Sequence, residues 1–440
     1  MQSTEGIFIN SRAEKKTLEI YAKKCYNVSR MTGKVIFINY QKPSLWRYRL
    51  AQGICQVFAR VVFRRKVLRN EIKTAKGPFV VICNHQCALD FVNLIGLTKQ
   101  PMSFVISNSF YNSLPINGFL TKLGLIPKQQ FQTAVSDMKK MKAVVDAGQP
   151  LVIYPAGLMC EDGLSTPIPS ATYKFLKWLG ADVYVAKVSG TYFAMPKWGK
   201  GLRRGKTYID VYKLIDAEAL AAMDIDTIRE KAIAALDFDA YREQEKWMVQ
   251  YGKGCQIDGL EQVLYQCPNC GKEYTICVKE HSILSCTACG YELISDDYGF
   301  LHNEKGLGPE IRYVSDWSRR IFNATLKNAE VGSVAELSAQ TEIHMIDYKK
   351  HKFIPVGEGV VSLSKDGFRI VGTINEEAVD LEIPISGIPS LPFSPGKHFE
   401  VQSGKNIYRC VLSDGRLVMK FIHLVKSFYL LNQTEQVGIQ

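Results

Sequence analysis

The stretch Phe79-Val-Val-Ile-Cys-Asn-His-Gln-Cys-Ala-Leu-Asp90 decides how this chain is read. Its first five residues are an unbroken apolar run, the pattern of a strand buried on both faces. The run ends on Asn84 and His85. Five residues after the histidine, Asp90 stands inside a second apolar run (Ala88, Leu89, Phe91, Val92, Leu94, Ile95). Residues five apart on an α-helix differ by about 140° around the axis. His85 and Asp90 can therefore meet only if the chain bends, with His85 on the loop leaving the strand and Asp90 in the first turn of a helix. Asp90 would then accept from one ring nitrogen and fix the tautomer, leaving the other nitrogen free to take a proton. His85 is the only histidine before His281, so an imidazole base in this part of the chain must be this one. A purely structural His–Asp pair is the competing reading of the same residues.

Outward from this stretch, strand-like and helix-like segments alternate. Strands are expected at 102–107, 151–154, 182–188 and 207–213. Helices are expected at 94–98, 117–125, 134–147, 171–179, 226–236 and 239–249. That alternation argues for an α/β domain with a largely parallel sheet. Its functional loops should follow strand C-termini, where Asn84-His85 and Pro155-Ala-Gly157 both lie. Upstream, a helix is expected at 13–25 and another at 45–68. In the second, Trp46, Leu50, Ile54, Val57, Phe58, Val61 and Val62 recur at helical spacing, with seven Arg and Lys and no acid from Trp46 to Arg69. Such a helix either lies on an anionic membrane interface or packs its apolar face on the core and leaves a solvated basic face.

The chain has 440 residues, 46% hydrophobic and 22% charged, enough for two or three globular domains. No apolar run reaches 18 residues, so no membrane span is expected. The first twelve residues lack the apolar core of a signal peptide. A reducing, cytoplasmic setting, peripheral to the membrane, is therefore expected. The net charge of +12 is uneven: from Val331 onward 11 Lys and Arg face 12 Asp and Glu, which leaves +13 on residues 1–330. A basic region of this kind suits a polyanionic partner such as a membrane surface or a phosphorylated substrate.

Cys267-Pro-Asn-Cys270 and Cys286-Thr-Ala-Cys289 are each followed by a glycine and are separated by fifteen residues. Each pair makes a tight turn aiming two thiolates at one point, and two such turns complete a tetrahedral zinc site. With all four positions filled by thiolate, the Zn2+ would be structural. Cys277 and His281 lie between the pairs as spectators. After a helix at 311–328, short strands and turns run from 341 to 412. The chain closes with a helix at 416–431, whose Leu417, Phe421, Leu424, Val425 and Phe428 form one face. The expected organisation is an N-terminal extension (1–44), an α/β domain (45–250), a zinc ribbon (262–300) and a mainly β, barrel-like domain with a C-terminal helix (310–440).

Asn84-His85-x4-Asp90 resembles the Asn-His-x4-Asp signature of the glycerolipid (lysophosphatidic acid) acyltransferase family. Pro115-x2-Gly118-Phe119 with Leu123-Gly-Leu-Ile-Pro-Lys128 resembles that family's second block. Leu151-Val-Ile-Tyr-Pro-Ala-Gly157 resembles its Phe-Pro-Glu-Gly-Thr-Arg block, and 183–188 sits where its last strand falls. The resemblance covers about residues 45–250 and implies the chemistry. His85 would be the general base and Asp90 its orienter. Asn84 would hold the turn, and Lys128, Pro155 and Gly157 would contribute to the substrate site. The acyl donor would be a thioester of coenzyme A or acyl carrier protein, and the acceptor a lysophospholipid-type hydroxyl. The third block departs from the pattern: the family's glutamate and arginine fall on Ala156 and Met159, so its phosphate-binding charge is missing. Lys128, Lys187 or the cluster Arg203, Arg204 and Lys206 are the candidate substitutes. The C-terminal element order resembles PH-like and GRAM modules.

Two other readings use the same residues. A catalytically degenerate lipid- or protein-binding adaptor would explain Ala156 and Met159, with the ribbon docking a protein partner. Nucleic-acid binding is disfavoured, because the ribbon carries few basic residues (Lys272 and Lys279) and counterion release needs them clustered.

Overall fold

The computed structural model describes residues 26–31, 34–39, 42–130, 135–254, 256–333, 336–385 and 388–438. The helix expected at 13–25 lies outside the described residues. A short antiparallel hairpin, β1 (Tyr26–Met31) and β2 (Lys34–Asn39), comes first. Seven strands then build one sheet: β3 (Lys66–Asn70), β4 (Phe79–Cys83), β5 (Ser103–Ser107), β6 (Leu125–Lys128), β7 (Leu151–Ile153), β8 (Asp182–Ser189) and β9 (Tyr208–Ile215). Their order is β3-β9-β8-β4-β7-β5-β6, and every neighbouring pair is parallel except β8 with β9.

β4 is central because all five of its residues are buried and apolar. Side chains alternate across a strand. Val80 and Ile82 pack on one layer with Met141, Leu176 and Ile228, while Phe79, Val81 and Cys83 pack on the other with Tyr48, Ile72 and Leu94. Each fully buried side chain of this kind contributes about 1.5–3 kcal/mol, so a polar residue anywhere in β4 would break the contacts of the layer it faces.

Three elements differ from the sequence reading. The first helix runs only Leu45–Val61, not to 68; the chain turns at Arg64, whose φ is 41°, and Lys66–Asn70 becomes the edge strand β3. The helix after Asp90 stops at Leu94, because Gly96 takes φ 97°, a left-handed value that ends a helix. The helix expected at 117–125 stops at Lys122, and Leu125–Lys128 forms β6, a strand not expected there; β6 is an edge strand, where Pro127 is tolerated.

Most of the apolar stripe of Leu45–Val61 faces outward. Trp46, Leu50, Ile54, Val57 and Val61 are all at least half exposed, whereas Tyr48, Gln52 and Ala59 face the core. Phe58 and Val62, also in that stripe, are partly buried and pack against the core, so the stripe divides between solvent and core. The opposite face packs as well, where Tyr48 accepts from the Met102 amide and Gln52 donates to the Thr98 carbonyl.

The ribbon segment forms a four-stranded antiparallel sheet of β10 (Ile276–Lys279), β11 (Ile283–Cys286), β12 (Glu292–Ser295) and β13 (Leu301–His302). A helix, Val314–Glu330, leads to seven more strands: β14 (Leu337–Asp347), β15 (Lys352–Leu363), β16 (Gly367–Ile374), β17 (Glu377–Pro384), β18 (Phe393–Ser394), β19 (His398–Ser403) and β20 (Asn406–Leu412). They form a fully antiparallel sheet in the order β17-β16-β15-β14-β20-β19-β18. Among the described residues its ends, β17 and β18, do not pair with each other, so the sheet is not closed by hydrogen bonds.

The last helix, Val418–Gly438, is buried on more than the one face expected. Phe421 packs on Phe368 and Phe399 of the sheet, and His423 lies against Tyr265 and Phe322. Met419 and Ile422 are also fully buried. One continuous apolar cluster runs from Ala59, Phe63 and Tyr241 through Leu260, Leu284 and Leu301 to Trp317, Phe399 and Phe421. The α/β part, the ribbon and the C-terminal part thus share a core.

Candidate active site

The site is assembled at the C-terminal ends of β4, β7 and β8. Asn84 leaves β4 and clamps it to β8: its amide donates to the Val188 carbonyl and its side-chain oxygen accepts from the Val188 amide, both at 2.8 Å. That pair of hydrogen bonds fixes where the next residue, His85, projects. His85 Nδ1 lies 2.9 Å from Asp90 Oδ2. The same Oδ2 accepts from the backbone amides of Gln86 (2.7 Å) and Cys87 (3.0 Å). Oδ1 accepts from Thr191 Oγ1 at 2.6 Å. A carboxyl group with no solvent exposure and three further donors is held in one orientation. As an acceptor it requires the proton on Nδ1, which leaves Nε2 with its lone pair. Nε2 makes no hydrogen bond among the described residues, and the His85 side chain is 19% exposed, so this nitrogen is the open end of the pair.

The ring is held from its face as well. Tyr154, the residue after β7, stacks on His85 with centroids 4.2 Å apart. Its hydroxyl is buried without a hydrogen-bond partner among the described residues, and burial raises it well above the usual phenol range, so it keeps its proton. The loop after β7 then closes back on the site. The Cys160 amide donates to the His85 carbonyl (3.1 Å), and Gly157, at φ 70°, turns its carbonyl toward Gln130 Nε2. A side chain at Gly157 would be strained in that left-handed conformation.

Three cysteines surround Asp90: Cys83, Cys87 and Cys160. Burial pushes each thiol well above the usual range, with the Asp90 charge adding to it. A thiol that stays protonated is a poor nucleophile. Among the described residues no thiolate stands beside the His85–Asp90 pair, which suits a substrate that brings its own hydroxyl.

Lys128 ends β6, half-buried. Its ammonium donates to the Gln129 carbonyl at 3.0 Å, lies near Asp137, and is pushed below the usual lysine range by burial. Among the described residues it does not touch His85 or Asp90. Pro155 and Gly157 lie on the loop that carries Tyr154. Ala156 and Met159 bring no charge there. The acids that follow them are turned inward: Glu161 pairs with Lys426 of the last helix, and Asp162 accepts from Ser318 Oγ at 2.6 Å. Burial alone would raise both carboxyls. At Glu161 the Lys426 and Lys197 ammoniums outweigh it and hold the group below the usual carboxylate range, whereas Asp162, beside Glu161, stays raised.

Glu161 folded therefore binds its proton less readily than Glu161 unfolded. Its contribution to stability is present above the ordinary carboxylate range and is lost as pH falls through the lower folded value. Removing one partner leaves a buried charge uncompensated, at about 3–5 kcal/mol. Lys426→Met is expected to lose that much stability in urea unfolding at neutral pH. The double variant Lys426→Met with Glu161→Gln should recover part of it.

Sequence reasoning missed Thr191, Tyr154 and Lys426. Thr191 lies just past the end of β8, the strand next to β4, so a search of loops following strand C-termini could have found it. Tyr154 occupies a similar place after β7. Lys426 carries no local signal.

The four cysteines of the ribbon converge. Cys267 and Cys289 sulfurs are 3.8 Å apart and those of Cys270 and Cys286 3.9 Å, with all four within 4.8 Å of one another. A tetrahedron with metal–sulfur bonds of about 2.3 Å has edges near 3.8 Å, so the thiols fit one metal ion. His281 pairs instead with Asp258 at 2.8 Å, and Cys277 donates to the Ser285 carbonyl.

Residues 64–199 match the model of a family described as acyltransferase. That span includes His85, Asp90, Lys128, the loop after β7 and Thr191, and it makes this part of the chain an α/β acyltransferase-type domain. Among solved structures, the chain is similar to the 1-acyl-sn-glycerophosphate (LPA) acyltransferase PlsC from Thermotoga maritima. The identity is 15% and the TM-score 0.38, over 46% of this chain and 79% of that one. A comparison with curated proteins returned no match.

Proposed function

We propose that the chain transfers a fatty acyl group from a thioester of coenzyme A or acyl carrier protein to a hydroxyl of a lysophospholipid-type acceptor. The observation that carries this reading is His85, its Nδ1 proton held by a fully buried Asp90 and its Nε2 left open. Nε2 takes the acceptor's proton as the hydroxyl oxygen attacks the thioester carbonyl. The tetrahedral adduct then expels the thiolate, which receives that proton from the imidazolium. Asn84, Thr191 and Tyr154 hold the histidine and its carboxylate in place. The test is initial-rate acyl transfer from a labelled thioester to a panel of lysolipids, with His85→Ala as the control; transfer at the wild-type rate in that variant would sink the mechanism. Ala156 and Met159 favour a second reading, a non-catalytic lipid- or protein-binding adaptor. Lipid binding that survives His85→Ala, with no turnover on any thioester, would establish it.

The acceptor is carried on a lipid surface in this proposal. No helix among the described residues is long and apolar enough to cross a membrane. The exposed stripe of Trp46, Leu50, Ile54, Val57 and Val61, with Arg60, Arg64 and Lys66 exposed beside it, suits the interface of an anionic bilayer. Trp46→Glu with Ile54→Glu is expected to reduce sedimentation with phosphatidylglycerol-containing vesicles by about tenfold or more, since two apolar side chains leave the acyl boundary. Binding by the unaltered protein should weaken as salt rises. Equal sedimentation of both proteins would remove the helix from the membrane face.

We further propose that Cys267, Cys270, Cys286 and Cys289 hold one structural Zn2+. Bound there, the ion would join the two turns without taking part in acyl transfer.

A further inference from the structure

The C-terminal sheet meets the acyltransferase-type domain on the same side as His85. Asn108 and Ser109 follow β5, and Gln129 and Gln130 follow β6, so these loops and the His85 loop all lie at the carboxyl edge of one parallel sheet. Across the seam, Ser109 Oγ donates to Glu400 (2.9 Å) and the Asn112 carbonyl meets His351 Nδ1 (3.0 Å). Between the two parts lies a cavity of about 290 Å³. Its walls from the C-terminal part are mostly apolar, including Ile388, Leu391 and Val401, and its walls from the α/β part are amide and hydroxyl side chains.

The lining discriminates among ligands. Among the described residues its one charged group is Glu400, already paired with Arg409 at 2.7 Å, so it offers nothing to a phosphate. A wholly aliphatic chain would bury Asn108, Gln129 and Gln130 against hydrocarbon, which costs free energy for each unmatched amide. The Gln129 side chain makes no hydrogen bond among the described residues, and Gln130 uses its Nε2 on the Gly157 carbonyl while its oxygen stays open. A ligand of secondary amides and small apolar groups satisfies both walls. Sheet strands are about 4.8 Å apart, and β5 and β6 stand two and three strands from β4. The cavity wall is therefore roughly 10–15 Å from the strand that carries His85. Gln130 also links it to the site through Gly157 and the Tyr154 loop.

We propose that this seam cavity binds the pantetheine arm of the acyl thioester, the amide-containing segment common to coenzyme A and acyl carrier protein. The C-terminal part would then complete the donor site, with the thioester end directed toward His85 and the phosphate end toward solvent. This rests on the acyl-transfer reading above.

The test compares two donors in the full chain: an acyl-coenzyme A and the matching acyl N-acetylcysteamine thioester, which lacks most of the arm. Ser403→Trp narrows the cavity from a half-exposed position, and Gln129→Ala removes one amide. Each is expected to lower kcat/KM for the full-arm donor about tenfold more than for the truncated one, the scale of one or two lost ligand hydrogen bonds. D-pantetheine should compete with acyl-coenzyme A and not with the acceptor. Equal losses on both donors, no loss on either, or a changed preference for acyl-chain length in place of a donor-arm effect would overturn the assignment. If the wild type turns over neither donor, the acyl-transfer reading fails by itself. Calorimetry with D-pantetheine then decides the cavity: binding that weakens in both variants supports it, and no binding refutes it.

Discussion

Asp90→Asn is expected to lower acyl transfer roughly 10³-fold, within the 10²–10⁴-fold that a positioned general base contributes, while the chain still folds. Asp90 receives four donors: the His85 ring, the Gln86 and Cys87 amides, and the Thr191 hydroxyl. An asparagine can accept through one atom only and must point an N–H₂ group at some of these. If that group faces His85, the ring accepts at Nδ1, its proton moves to Nε2, and the base is lost. If it faces Thr191, the hydroxyl can turn to accept, and the catalytic loss is smaller than in His85→Ala. The stability cost should be about 1–3 kcal/mol, the usual cost of a buried donor left unmatched. Initial rates together with urea unfolding separate the two effects. The double variant with His85→Ala should be little slower than His85→Ala alone, because groups acting as a unit are not additive. A wild-type rate in Asp90→Asn would remove Asp90 from the mechanism.

The second large effect is expected at the four thiols. Cys267→Ser combined with Cys286→Ser should take the metal content from one ion per chain to none, by elemental analysis. It should also lower the unfolding midpoint of the whole protein. Structural zinc contributes an apparent 10–16 kcal/mol in small zinc-finger peptides, which sets an upper bound here, where packing also holds the segment. That packing is extensive: Trp317 donates to the Gln266 carbonyl at 2.9 Å, and Lys420 pairs with Glu273 at 2.7 Å. Loss of the ion should therefore be felt beyond the ribbon. A chelator that strips the wild type should reproduce the lowered midpoint. Full retention of the ion in the double serine variant would refute the site.

Some of this was legible in the sequence and some was not, for physical reasons. β4 announced itself because a strand buried on both faces leaves no room for polar residues. The Cys-x2-Cys turns were legible because all their geometry is local. The end of the first helix was not: Val61, Val62 and Phe63 keep the apolar pattern going, and only a left-handed Arg64 breaks it. The partners of Asp90 divide the same way. Gln86 and Cys87 are neighbours in sequence, but Thr191 lies 101 residues away and arrives only because β8 pairs with β4. Glu161 and Asp162 are adjacent acids with no local signal of burial. Their burial depends on Lys426 and Ser318, 265 and 156 residues away, which no local pattern could supply.

The shared core has a consequence for how this protein can be divided. The polypeptide can be parsed into an acyltransferase-type segment and two appendages, but their apolar surfaces were never separate. Phe63, Tyr241, Leu264, Trp317 and Phe421 belong to one continuous interior. An α/β fragment cut out at its sequence borders would carry a raw hydrophobic flank and a Glu161 stripped of its counter-charge. It would be a sticky, acid-bearing half-globule, not a minimal enzyme. The ribbon and the last helix are then the far wall of the acyltransferase-type domain's own interior, and the three parts are expected to unfold together.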